Sequence, residues 1–173
     1  MNHALFAMPY HSSLAIANEF LRRARHERRP LSHMHLQKYV YLAHGWTIAV
    51  TGRPLIEEPF EAWDYGPVVR KLYNALRIYG PGEVKRFIRY GDDTLSRQDD
   101  AGEAFEALDE REAAIIDRVW KSYKGFQAFQ LSALTHAERS PWDVTFAGGE
   151  GKSRFINNDI IGDYFANLAA QHG

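Results

Sequence analysis

The sequence predicts a mainly α protein, one compact domain of six or seven helices with at most a small two- or three-stranded β element. Two observations carry this. Apolar residues recur at helical spacing in segment after segment, each opened by a capping residue and closed by glycine or proline. The extended-looking segments are few, short and interrupted by proline. A length of 173 residues is most simply one domain, and 45% hydrophobic content is enough for a core without staples.

The first helix starts at Ser12 or Ser13, whose hydroxyl caps free amides, and Leu14, Ala17, Leu21 and Ala24 form its buried stripe. It ends in five arginines between Arg22 and Arg29. Cations suit a helix C-terminus, so a solvated helix end is one reading, and an acidic or nucleic-acid patch is the other. After Pro30, Ser32 reads as the N-cap of a second helix, with Leu31 and Leu36 placed as a hydrophobic staple. Leu36, Tyr39, Val40, Ala43 and Trp46 give its apolar stripe, Val50 extends it, and Gly52 with Pro54 ends it. His33 and His35 stand two apart on a helix, a spacing that points them away from each other and argues against a shared metal.

From Leu55 to Trp63 the chain reads as extended, and Pro59 restricts it to an edge strand or a hairpin arm. Tyr65-Gly66-Pro67 turns the chain, and Pro67 is placed at the first position of a third helix carrying Val68, Val69, Leu72, Tyr73, Leu76 and Tyr79. Val84 to Tyr90 reads as a strand-like or irregular arm. Residues 91–112 hold nine acidic residues against Arg97 and Arg111, and the part before Asp109, about 91–108, reads as a mobile acidic loop. A Ca²⁺ loop is the alternative there, without the alternating ligand pattern.

Asp109 with Glu112 forms a capping box opening a helix through Tyr123. A further helix covers about 127–137 with Leu131 and Leu134 inward, and Ser140-Pro141 opens a short one. Gly148, Gly149 and Gly151 make a flexible break. Gly151-Lys152-Ser153 matches the end of a phosphate-binding loop, but Phe146 stands where its first glycine is required. Asn157 or Asn158 caps a last helix burying Ile160, Ile161, Tyr164, Phe165 and Leu168.

The composition restricts function. With no cysteine, disulfides, thiolate catalysis and Cys-ligated zinc are out, and a reducing cytoplasm is the expected compartment. A net charge of −1 gives no global attraction to nucleic acid or anionic membrane. The N-terminal residues lack the pattern of a signal peptide, and no window has the roughly 20 apolar residues of a membrane span. The polar set Asp64, His44 and His136, with Glu61, is the one suggestion of a hydrolase, and it needs a pocket that joins them. The stronger feature is aromatic: Trp46, Trp63, Tyr65, Tyr73 and Tyr79 lie within 34 residues. Trp46 and Trp63 read as core corners with tied N–H groups, whereas Tyr65, on a loop, is equally suited to meeting a partner.

The stretch LQKYVYLAHGW followed by TGRPLIEEPFEAWDYGPVVRKLYNALRIYG resembles the signature of the Panacea domain family, which includes the SocA-like antitoxins and phage-associated GepA-like proteins. The matching positions are Leu36, Gln37, Lys38, Gly45, Trp46, Gly52, Pro54, Leu55, Glu61, Ala62, Trp63, Tyr65, Gly66, Pro67, Val68, Val69 and Tyr73. LSALTHAERSPW and INNDIIGDYF resemble the closing motifs, so the similarity spans about residues 12–170; Asp64 and the 91–112 stretch depart from the pattern.

The resemblance implies a cytoplasmic antitoxin of a type II toxin–antitoxin pair, often carried on mobile elements or prophages. Its partner would be a protein toxin encoded by an adjacent gene and neutralised by direct binding. The SocA branch implies instead an adaptor that delivers the toxin to the ClpXP protease. No catalytic residue, metal or cofactor is implied by either. A DNA-binding regulator is the rival class, weakened by the net charge and by the lack of a helix-turn-helix. The residues expected to meet the toxin are Trp63, Asp64, Tyr65, Val69, Arg70 and Tyr73.

Overall fold

The computed structural model describes residues 10–94 and 101–172. Its helices are α1 (Ser13–His26), α2 (His33–Thr51), α3 (Arg70–Leu76), α4 (Glu110–Tyr123), α5 (Ala128–Thr135), α6 (Pro141–Phe146) and α7 (Asn158–His172). Its strands are β1 (Phe60–Trp63), β2 (Gly66–Val68) and β3 (Phe155–Ile156), antiparallel in the order β2-β1-β3. The mainly α class with a small sheet is therefore as expected.

The local signals act as read. Ser12, Ser32, Asp109 and Ser140 each accept a backbone N–H at the start of their helix, and Gly52 ends α2 in the left-handed region. At α2 the cap is reciprocal: His35, three positions on, accepts the Ser32 N–H through Nδ1. That use of His35, together with the hydrogen bond between His33 and Gln37, gives both imidazoles a local role.

Helix α2 differs from the amphipathic stripe expected of it. Every residue from Leu36 to Gly45 is buried, because α1, α3, α4, α5 and α7 all pack around it. Only Val50, near its end, is open to solvent. Tyr39 stacks on Phe20 and meets Trp120 edge-on; each such side chain, fully buried, contributes about 1.5–3 kcal/mol. The α2–α7 contact depends on Gly45, where an added Cβ would lie 2.3 Å from the Phe165 ring.

Four further expectations are corrected. Strand β1 is an arm of a hairpin with β2, as expected, but it is central and not an edge, since Pro59 lies one residue outside it. Pro67 belongs to the edge strand β2, opposite Ala62, and α3 begins only at Arg70 with Val69 as N-cap. Leu134 and Ile160 face outward, 39% and 41% exposed, because α5 and α7 each bury a narrower face than the spacing offered.

The acidic stretch is the fourth. Residues 95–100 lie outside the described part, but 101–108 are pinned. Ala104 is fully buried, and the Asn18 amide of α1 donates to the Ile88 and Ala104 carbonyls and accepts the Ile88 N–H, all at 2.8 Å. Glu106 accepts from Ser12 N–H, Tyr90 O–H and His11.

His11 sits between Glu106 and Glu112 with both ring nitrogens at 3.0 Å from a carboxylate oxygen, an arrangement that uses the doubly protonated ring. Burial pulls its pKa down, but the hydrogen bonds and charges of Glu112 and Glu106 outweigh that and raise it above 6.5. A raised folded-state value gives stability that is complete below the unfolded pKa and lost as pH climbs through the folded one. In urea titrations from pH 6 to pH 9, the stability advantage of wild type over His11→Gln is therefore expected to shrink as pH rises. A pH dependence identical in the variant would reject the clasp.

Candidate functional site

The first turns of α2, the β1–β2 hairpin and α3 enclose an open cleft of about 740 Å³. From α2 come Ser32, His33, Met34, Gln37 and Lys38; from the hairpin Trp63, Asp64, Tyr65 and Val68; from α3 Arg70 and Tyr73. Gly80, Pro81, Ala128, Lys152 and Ser153 complete the rim.

One wall is a row of rings. His33 lies 5.3 Å from Tyr73, Tyr73 lies 4.8 Å from Trp63, and the Arg70 guanidinium sits 5.2 Å from the Trp63 ring centroid. Glu61, buried beneath, fixes the row: it accepts Arg70 Nε at 3.0 Å and Nη2 at 2.8 Å, and Trp63 Nε1 at 3.2 Å.

The hairpin tip is held from behind. Trp142 Nε1 donates to the Trp63 carbonyl at 2.7 Å and Ser132 Oγ to the Tyr65 carbonyl at 2.8 Å. Trp142 is itself stacked between His136 and Phe146. With its backbone fixed, the tip still presents the Tyr65 side chain 68% exposed. The Lys152–Asp64 ion pair beside it is exposed at both ends and adds little.

Deepest among the lining residues is Lys38, 1% exposed. Its Nζ donates to the Pro67 carbonyl at 3.0 Å, and among the described residues it has no carboxylate partner. Burial lowers its pKa to about 7. His33 is lowered to about 4, by burial first and then by the Lys38 charge. Gln37, next to it, closes the Val69 backbone in two bonds, accepting its N–H at 2.9 Å and donating to its carbonyl at 3.2 Å.

Of the six residues expected to meet a partner, Trp63, Asp64, Tyr65, Arg70 and Tyr73 line this cleft. Val69 does not: its side chain is fully buried because it caps α3 under α2, and it offers no surface. Lys38 stands among the motif positions of the family resemblance, but its place beside the staple gave no sign that the hairpin would close over it.

The hydrolase set is not brought together. His44 accepts the Leu55 and Ile56 N–H groups at Nδ1 and donates from Nε2 to Asn158, with its pKa lowered to about 4 by burial. Asp64 pairs with Lys152, Glu61 with Arg70, and His136 stacks on Trp142. Four of the five arginines at the end of α1 are likewise engaged: Arg22 and Arg23 with Glu19, Arg23 with Asp117, Arg25 over the Phe87 ring and Arg29 with the Lys124 carbonyl.

A family model described as Antitoxin SocA-like, Panacea domain, matches residues 36–143, from Leu36 in α2 to Asp143 in α6. The chain belongs to the SocA-like antitoxin family. Within the matched span lie Gln37 and Lys38, the whole β1–β2 hairpin, α3 and the α5–α6 segment that braces the tip. The protein named Antitoxin SocA from Caulobacter vibrioides (strain NA1000 / CB15N) is 37% identical over 138 residues, which is 79% of this chain and 71% of that protein. No solved structure matches. Membership of the SocA-like family supports an antitoxin role and, with it, a toxin as partner. Among the described residues, no helix is long and apolar enough to cross a membrane.

Proposed function

We propose that this SocA-like protein is the antitoxin of a type II pair and neutralises a protein toxin, encoded by an adjacent gene, by direct binding at the aromatic cleft. The observation that carries this reading is the braced hairpin tip, an exposed Tyr65 on a backbone tied down through the Trp63 and Tyr65 carbonyls. A large side chain carried on an already ordered backbone lowers the cost of binding and suits an interface anchor. Trp63, Asp64, Arg70 and Tyr73 surround it and belong to the same proposed surface.

Co-expression with the neighbouring gene, followed by pull-down, tests the reading. Growth arrest by the neighbour, relieved by this chain in a stable complex, is the expected result. Relief with falling toxin levels and little complex would favour delivery to a protease such as ClpXP, and a harmless neighbour would remove the reading. Tyr65→Ala is expected to weaken the complex by about 10- to 30-fold, the scale of an interface anchor, with an unchanged helical spectrum. Arg70→Ala also weakens binding but leaves Glu61 buried with fewer partners, so Tyr65→Ala is the cleaner variant. Undiminished affinity in Tyr65→Ala would move the toxin to another face.

A further inference from the structure

We propose that the cleft recognises a carboxylate, with Lys38 pairing with one acidic side chain of the toxin while the apolar part of that segment lies against Trp63 and Tyr73. The inference rests on the toxin-binding reading and specifies its chemistry. The charges at the cleft mouth are already matched, Arg70 with Glu61 and Lys152 with Asp64. Lys38 alone among the lining cations has no anion, and of its three donors only the bond to the Pro67 carbonyl is made among the described residues. A buried ammonium held by one carbonyl is undersatisfied, and an opposite charge is the partner that compensates most fully. The hairpin keeps it in place: Gly66 has no Cβ, and one built there would stand 3.0 Å from Nζ. The volume of about 740 Å³ accommodates more than a lone acid, and its mouth carries Tyr65 and Arg70, residue types that anchor protein interfaces. An acidic side chain borne on a toxin segment satisfies both the depth and the mouth.

The ionisation of Lys38 supports this. Buried in the free protein, it titrates near pH 7. The groups facing the cleft with it are His33 on the same helix, Tyr73 and Arg70 of α3, Asp64 and Tyr65 of the hairpin, and Lys152 on the rim. Of these His33 carries a lowered pKa, as does His136 at the end of α5, which also feels the Lys38 charge. A carboxylate pairs with the ammonium and not with the neutral amine, so toxin affinity falls as pH rises above about 7, by up to tenfold per unit.

The test is the affinity of the adjacent-gene toxin for wild type and for Lys38→Met, which keeps a straight stem and removes the charge. A loss on the order of 100-fold is expected, since the toxin's acid would be left buried and unpaired. The free variant is expected to melt no earlier than wild type, and at pH 6, where Lys38 is charged in the fold, later. Wild-type affinity should decline from pH 6 to pH 9, and the variant's should be flat. In a cycle of toxin Asp→Asn and Glu→Gln substitutions, one acid should lose its effect in the Lys38→Met background. Equal affinities of wild type and variant, or no toxin acid coupled to position 38, would overturn the inference and leave the toxin-binding reading intact. Absence of wild-type binding would remove both.

Discussion

Gly66→Ala is expected to destabilise the protein by about 2–5 kcal/mol and to abolish toxin binding with it. Two independent costs add. Gly66 has φ +110°, a region where a Cβ brings strain of about 1–2 kcal/mol. The new Cβ would also lie 2.6 Å from Thr135 Oγ1 and 3.0–3.1 Å from the end of Lys38. Neither neighbour is free to yield, since Thr135 Oγ1 is bonded to the Ser132 carbonyl and Lys38 Nζ to the Pro67 carbonyl. Overpacking of this kind costs about 1–3 kcal/mol. Gly52→Ala isolates the strain: it has φ +74° with nothing within 4 Å of the added Cβ, so a loss of about 1–2 kcal/mol is expected. Urea denaturation of both variants measures the difference. Equal losses would mean that the hairpin rests less tightly on α2 and α5 than the contacts state.

The second large effect is expected at Asn18. Alanine there removes three buried hydrogen bonds and leaves the Ile88 N–H and the Ala104 carbonyl without their partner. The Ile88 carbonyl keeps the Ala104 N–H at 2.9 Å. Two buried orphans at about 1–3 kcal/mol each predict a loss of about 2–6 kcal/mol. Hydrogen exchange should localise it, with the Ile88 and Ala104 amides losing protection before those of α2. A loss below about 1 kcal/mol would show that water replaces the side chain.

These two positions also mark how far the sequence could be read. Asn18 stands among the alanines of α1 like any exposed polar residue, and its three acceptors and donors come from segments 70 and 86 residues away. Acidic composition argued for a mobile 91–108, but Ala104 is buried and Glu106 has three polar partners. Composition measures the average cost of burial; specific partners decide it residue by residue. Pro67 fits the first turn of a helix by local preference, yet strand pairing with Ala62 took it. An edge strand loses nothing from a missing N–H.

The cleft was legible in part for the same reason. Trp63, Asp64, Tyr65, Arg70 and Tyr73 cluster in sequence, and a hairpin followed by a short helix keeps neighbours near in space. Lys38 and the bracing side chains Ser132 and Trp142 come from other elements, and nothing in their own neighbourhoods says what they reach.

Legible from the residues alone were the mainly α class, the helix starts at Ser12, Ser32, Asp109 and Ser140, the stop at Gly52 and the family resemblance. Each of these is fixed within a few residues by capping, backbone conformation and apolar spacing. Packing between elements settled that α2 is buried from Leu36 to Gly45, that β1 is central, and that a lysine with no counter-ion among the described residues lies under the hairpin. Those outcomes depend on which elements meet, and a side chain's desolvation and partners are set by the elements that close over it.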